Sequence, residues 1–210
     1  MTDDTAIAHT PRLVLASSSP QRRQLLAEAG YQFEVITPSA DSEDPPQPGE
    51  SADQLVLRLA RQKAENVSGK VPRGIVVGCD TVALCGGIIM GKPGSREDAR
   101  RMLQLMSGQE HQVLSGLCLW QRPEDSVVCQ LATTSLVMEQ LDDNQLEEYL
   151  DTNNWEGKAG GFGYQDNLDW IRITEGSEAN VIGLPLELLE EMLSAIQPSW
   201  IPGSSPPPPP

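Results

Sequence analysis

The chain is poor in the residues from which many catalytic centres are assembled. It has two histidines, His9 and His111, in 210 residues, too few for a histidine metal cluster, and no Ser-His-Asp triad can be assembled persuasively around them. His111 follows Ser107-Gly108 and reads as structural. The four cysteines, Cys79, Cys85, Cys118 and Cys129, form no Cys-x-x-Cys pair and lie in or beside apolar strand-like runs. They read as small buried hydrophobes of a reducing compartment. No apolar stretch approaches the ~20 residues needed to span a bilayer, and the polar start Met1-Thr2-Asp3-Asp4 is no signal peptide. The expected location is the cytoplasm, with no membrane partner. Basic residues are scarce too, 15 against 30 acidic for a net charge of −15, which opposes binding to polymeric nucleic acid or to an anionic surface. A polyphosphate guest would therefore need a local basic pocket and a divalent cation.

What is present begins at the N-terminal end. The apolar run Leu13-Val14-Leu15-Ala16 breaks into Ser17-Ser18-Ser19-Pro20-Gln21-Arg22-Arg23. Ser19 suits a helix N-cap, Pro20 the first helical turn and Gly30 the left-handed position after the last turn. Serine hydroxyls, unpaired backbone N–H groups at a helix start and arginine guanidinium groups converge there, either as an arrangement that holds an anion such as phosphate or as an ordinary helix start with solvated arginines.

Periodicity predicts strands near 13–17 and 33–37, with a helix near 20–29 between them. An acidic, proline-rich loop from Pro38 to Glu50 precedes a helix from Ser51 to about Val67. The run Ile75 to Cys79 reads as a buried strand ending at Asp80-Thr81, and Gly86-Gly87 as a hairpin turn. A helix near 95–106, two antiparallel strands near 112–121 and 127–138, a helix over 142–151 and a last helix over 185–196 follow. The glycine-dense stretch Glu156 to Gly163 is expected as a loop whose backbone can approach a ligand closely. Residues 1–10 are expected as a flexible start, 11–196 as one domain and 197–210, with five closing prolines, as a disordered tail. Helices interleaved with isolated and paired strands indicate an α/β fold with a mixed sheet.

Gly86 to Lys92 matches the spelling of a phosphate-binding P-loop, but Pro93 stands where Ser or Thr would hold the metal and Ile88-Ile89-Met90 is strand-like, so that motif is rejected. Lys92 remains as a lysine at a strand end. Asp80, after five apolar residues, sits at a strand mouth, where it binds a metal, activates a water or merely caps a turn. Lys63, among small helical residues, points inward or snorkels to the surface. Lys158 among glycines, and Gln165 after Tyr164, read either as contacts for a phosphate and a base edge or as surface loop.

Taken in order, Leu15 to Leu26, Arg58 to Ala64, Gly78 to Val82, Gly91-Lys92-Pro93, Ser107 to Val113, Gly157 to Gln165 and Asn180 to Leu186 resemble the Maf family of nucleoside triphosphate pyrophosphatases, also described as septum-formation inhibitors. The likeness runs from about Leu13 to Leu193. It implies an elongated mixed sheet flanked by helices, with two lobes around a central cleft, as in Maf and ITPase folds. It also implies hydrolysis of a nucleoside triphosphate to monophosphate and pyrophosphate, with Asp80 as general base and a divalent cation, magnesium or manganese, in the cleft. Phosphate contacts fall on Ser17, Ser19, Arg22, Lys63, Lys92 and Lys158. The cation falls to Asp80 and an acidic-loop residue, Glu43, with Asp41 and Asp44 as alternatives.

Thr81 and Gln165 resemble the dTTP/UTP branch of the family, whereas Gln21 matches neither that branch nor the 7-methyl-GTP branch. The alternatives to a dTTP/UTP enzyme are therefore a 7-methyl-GTP-type pyrophosphatase and a non-catalytic nucleotide-binding regulator of cell division. Family members are often homodimers, so the resemblance also implies a homodimer.

Overall fold

The computed structural model describes residues 12–166, 168–196 and Pro202. The expected flexible start and, Pro202 apart, the expected proline-rich tail lie outside the described residues. In chain order the elements are β1 (Leu13–Ala16), α1 (Pro20–Glu28), β2 (Phe33–Val35), α2 (Ala52–Ser68), β3 (Gly74–Cys85), β4 (Ile88–Met90), α3 (Arg96–Met106), β5 (Glu110–Arg122), β6 (Ser126–Met138), α4 (Asp143–Asp151), β7 (Ile171–Glu175), α5 (Glu178–Ile182) and α6 (Leu186–Ile196). The strands form one sheet in the order β2-β1-β3-β5-β6-β7, with β4 added to the edge of β3. β1 is parallel to β2 and β3, and every other pairing is antiparallel, so the mixed α/β architecture is as expected.

Local chemistry starts and stops these elements. Ser19 accepts from the Arg22 N–H at the start of α1, and Gly30 takes φ +81° after its end. At the start of α2 the Ser51 N–H donates to the Gln54 side chain at 3.1 Å, half of a capping box. Gly86 and Gly87, at φ +55° and +81°, turn β3 into β4.

Three expectations need correction. β3 does not stop at Asp80-Thr81 but runs on to Cys85, because Val82, Ala83 and Cys85 are buried and continue the pairing with β5. β7, absent from the sequence reading, pairs with β6 alone, and three of its five residues are exposed, so it carries little apolar signal. The glycine-dense loop contains a short 3₁₀ turn, Ala159–Gly161, interrupted by Gly160 at φ +70°, and a second, Tyr164–Asp166, follows it. Also unforeseen, α5 is a single short turn capped by Ser177.

Apolar clusters sit at the two ends of the long strands. One joins β1, the first half of β3, α1 and α6, including Leu15, Leu26, Val77 and Leu189. The other joins the far ends of β3, β5 and β6 to α3 and α4, including Ala83, Leu103, Leu136 and Leu150. His111, buried there, lies edge-on to Phe162 with ring centres 5.5 Å apart. Burying one such side chain is worth roughly 1.5–3 kcal/mol; two further clusters pack beneath α2, one with Val14, Ala60 and Val76 and one with Leu55, Val82 and Leu114, the latter beside Asp80. Among the described residues no helix is long and apolar enough to cross a membrane.

On the opposite face α2 lies directly on the sheet. A Cβ on Gly78 would meet the Ala60 carbonyl oxygen at 2.1 Å, and one on Gly116 the Val56 carbonyl oxygen at 2.2 Å. These two bare positions, one strand apart, let the helix backbone touch β3 and β5. Replacing Gly78 by Ala would push α2 away, with an expected loss of about 1–3 kcal/mol, read from urea unfolding; an unchanged midpoint would contradict this packing.

Candidate active site

The pairing of β3 has a gap. On one edge it pairs continuously with β5. On the other, β1 covers Ile75 to Gly78 and β4 covers Ala83 to Cys85, so neither strand pairs with residues 79–82. Asp80 and Thr81 sit in that gap. Because side chains alternate along a strand, Asp80 faces α2 and Thr81 faces the opposite side, where Gly183 follows α5.

A cavity of about 530 Å³ opens there, and its lining includes Ser19, Gln21, Arg22, Glu43, Lys63, Asp80, Thr81, Lys92, Lys158 and Gln165. Of the binding and catalytic residues singled out from the sequence, Ser17 and the alternative cation ligands Asp41 and Asp44 do not line it, and the rest do. Ser17 lies beneath it, buried, with its hydroxyl accepting the Ser19 N–H at 3.1 Å. Pro46, Leu55, Leu59, Val82, Ile89, Phe162, Val181 and Ile182 add an apolar wall that the sequence reading did not assign to a site. Leu55, Leu59 and Lys63 recur at four-residue spacing on α2, so the helical period carried the signal for part of that wall.

Each charged group has a definite place. The Lys63 ammonium donates to Asp80 Oδ1 at 2.5 Å and lies 3.1 Å from Glu43 Oε2. Lys63 and Asp80 are nine-tenths buried, where an unpartnered charge would be costly and a paired one is held. Of the three acidic-loop candidates, Glu43 is the one that reaches Lys63, while Asp44 is taken by Gln62 Nε2, which donates at 2.6 Å. Arg22 donates through Nε to the Gly183 carbonyl at 2.7 Å and through Nη2 to Thr81 Oγ1 at 3.1 Å. Thr81 Oγ1 also lies 2.8 Å from Ser115 Oγ.

Lys158 is committed to Asp166, donating to both its oxygens at 2.8 and 2.7 Å. Tyr149 Oη donates to the same carboxylate at 3.0 Å and accepts the Gly163 N–H at 3.2 Å. A Cβ on Gly163 would meet the Lys158 ammonium at 2.3 Å, so the bare backbone there makes room for the lysine. The Gly160 N–H donates to the Gly91 carbonyl at 3.0 Å, tying the glycine loop to the segment that carries Lys92.

Lys92 follows β4 and has no hydrogen-bond or ion-pair partner among the described residues. Burial, and then the neighbouring charges of Arg22 and Lys63, push its ammonium below the ordinary lysine range. The lining carries four cations against two carboxylates, Glu43 and Asp80, in a chain of net charge −15. That local surplus suits a polyanion, and the volume falls within the ~300–1,000 Å³ of small-molecule pockets.

Fold and cleft together describe an α/β protein whose sheet-edge pocket is built for an anionic small molecule. A profile described as Maf-like protein matches residues 12–196, and the chain belongs to that family. It is 47% identical over 182 residues to a dTTP/UTP pyrophosphatase of Rhodopirellula baltica, covering 86% of this chain and 80% of that one. It is 38% identical over 183 residues to a dTTP/UTP pyrophosphatase of Geobacter sulfurreducens, covering 86% and 95%. Among solved structures it is similar in fold to a HAM1 protein from Coxiella burnetii, with a TM-score of 0.50, 13% identity and coverage of 89% and 100%.

If the unpaired Lys92 is an anion ligand, affinity for inorganic tripolyphosphate falls as pH rises toward the lysine range, because only the ammonium binds and its proton leaves below 10.5. Lys92→Ala is expected to weaken binding about tenfold and to flatten that alkaline limb in calorimetric titrations. An unchanged limb in the variant would assign the titration to another group.

Proposed function

We propose that the protein hydrolyses nucleoside triphosphates, with dTTP and UTP as substrates, to the nucleoside monophosphate and pyrophosphate. The observation that carries this reading is the meeting of Asp80 with Arg22, Lys63, Lys92 and Lys158 in one cavity from five separate parts of the chain. The substrate class is supported by the relatives named dTTP/UTP pyrophosphatase.

The triphosphate lies among the cations, with the start of α1 adding the Gln21 backbone N–H and the Ser19 hydroxyl. Asp80 takes a proton from a water whose oxygen attacks the inner phosphorus. The new O–P bond forms as the bond to the pyrophosphate oxygen breaks, and the pyrophosphate leaves with the electron pair. Lys63 orients the Asp80 carboxylate through its 2.5 Å hydrogen bond, and Arg22, Lys92 and Lys158 meet the charge that develops on the phosphate oxygens. Lys158 must then share its ammonium between substrate and Asp166. The apolar wall of Leu55, Leu59, Ile89 and Phe162 receives the nucleoside, with Thr81 and Gln165 as polar contacts.

A divalent cation fits the residues present. Glu43 and Asp80 converge on one ammonium, so the two carboxylates already face a shared positive charge. Two carboxylates suffice for magnesium, which completes its shell with water and phosphate oxygens, and manganese suits the same oxygen donors. Among the described residues no group of three or more His, Cys, Asp or Glu could hold a metal. When bound, it neutralises phosphate charge and polarises the phosphoryl oxygens.

Purified protein with magnesium should release pyrophosphate from dTTP and UTP. Asp80→Asn should lower kcat by about 10²–10⁴-fold while leaving nucleotide affinity close to that of the parent. Orthophosphate release in place of pyrophosphate would refute the reaction, and a fully active Asp80→Asn variant would refute the role of Asp80.

A further inference from the structure

The acidic loop 38–50 forms no strand or helix, yet one stripe of α2 holds it at several points. Arg58, Gln62 and Asn66 recur every four residues and so project from one side of the helix. Arg58 grips Glu50 with two donors, Nε at 2.6 Å and Nη2 at 2.8 Å, and also donates to the backbone carbonyls of Asp44 at 3.2 Å and Pro45 at 3.3 Å. Gln62 accepts the Asp44 N–H at 3.1 Å and donates to its carboxylate at 2.6 Å. Asn66 accepts the Ser39 N–H at 3.0 Å and donates to its hydroxyl at 2.8 Å.

Side chains of the stripe thus capture both ends of the loop and its middle, and the residue just before the central anchor is Glu43. Its carboxylate and that of Asp80 share the Lys63 ammonium at 3.1 and 2.5 Å. Hydrogen bonding to Arg58 holds the Glu50 carboxyl down at about 2, so both partners of the strongest contact stay charged near neutrality.

We infer that Arg58, supported by Gln62 and Asn66, is a positioning residue that straps the acidic loop to α2 and thereby sets the Glu43 carboxylate opposite Asp80 for a divalent cation. This rests on the reading above, in which those two carboxylates hold the cation. Arg58 touches neither carboxylate; it acts through the path of the loop. The guanidinium is needed for its fork, because a lysine ammonium cannot engage a carboxylate with two parallel donors and two carbonyls at once.

The test uses the full chain, manganese as the probe and a non-hydrolysable UTP analogue, with free manganese read by electron paramagnetic resonance. Arg58→Gln should raise the manganese dissociation constant about tenfold or more, the usual cost of losing an outer support of a metal ligand. Affinity for the analogue in EDTA should not change. Arg58→Lys should not restore manganese binding. Glu43→Gln should weaken it at least as much, and the double variant should lose no more than Glu43→Gln alone. In the metal-free protein, amide hydrogen exchange over loop 38–50 should speed up in Arg58→Gln and not in Glu43→Gln. Gln62→Ala, which removes two of the strap's hydrogen bonds, should move both readouts in the same direction should Arg58→Gln fail to fold. Unchanged manganese binding, unchanged loop exchange, or additive losses in the double variant would overturn the strap. Manganese binding unaffected by Glu43→Gln would overturn the cation assignment and the inference with it, and the exchange data tell the two failures apart.

Discussion

The structure depends on a gap in the edge of β3. A central strand normally spends both edges on neighbours, yet at Cys79 to Val82 one edge lies between the end of β1 and the end of β4. The continuous ladder to β5 keeps the strand in place, so Asp80 can be buried and still face a cavity. α1, α2, the segment after β4 and the glycine loop all reach that opening from their own side of the sheet. Close contact of α2 with Gly78 and Gly116 brings Lys63 over Asp80.

The charges of the site divide into committed and uncommitted groups. Lys63 is held between Glu43 and Asp80, and Lys158 by Asp166. These pairs keep buried ions satisfied before any anion enters, which matters because a lone buried charge costs several kcal/mol. Lys92, depressed by burial and by its cationic neighbours, and the part of Arg22 that faces the cavity remain to receive an incoming negative charge. Within a strongly acidic chain this cavity thus gathers a local surplus of positive charge that suits a small polyphosphate.

Much of the cavity lining could be singled out from the chain alone, because its residues sit where local rules apply, although those rules leave each open to a structural role until the ordered motifs are taken together. Ser19-Pro20 before a helix, Asp80 after an apolar run, Lys92 after a hairpin and Lys158 among glycines each carry a short-range signature. What escaped depended on distance. Asp80-Thr81 reads as a strand end, since only the pairing with β5 shows that the strand continues. β7 is an edge strand with one buried residue, so its pattern gives no period to detect. Asp166, the counter-ion of Lys158, and Arg58, the anchor of the acidic loop, are surface charges in any one-dimensional reading. Their roles come from loop paths that no spacing encodes. The choice among Asp41, Glu43 and Asp44 was undetermined for the same reason, and the hydrogen bond that takes up Asp44 narrows it.

The account stands on water, oriented by Asp80 in the β3 gap, attacking the innermost phosphorus of a triphosphate. Turnover of UTP in water enriched in heavy oxygen, followed by mass spectrometry of the products, tests this directly. The label is expected in the uridine monophosphate, with unlabelled pyrophosphate. Label in pyrophosphate, or in released orthophosphate, would place the attack at an outer phosphorus and contradict the account.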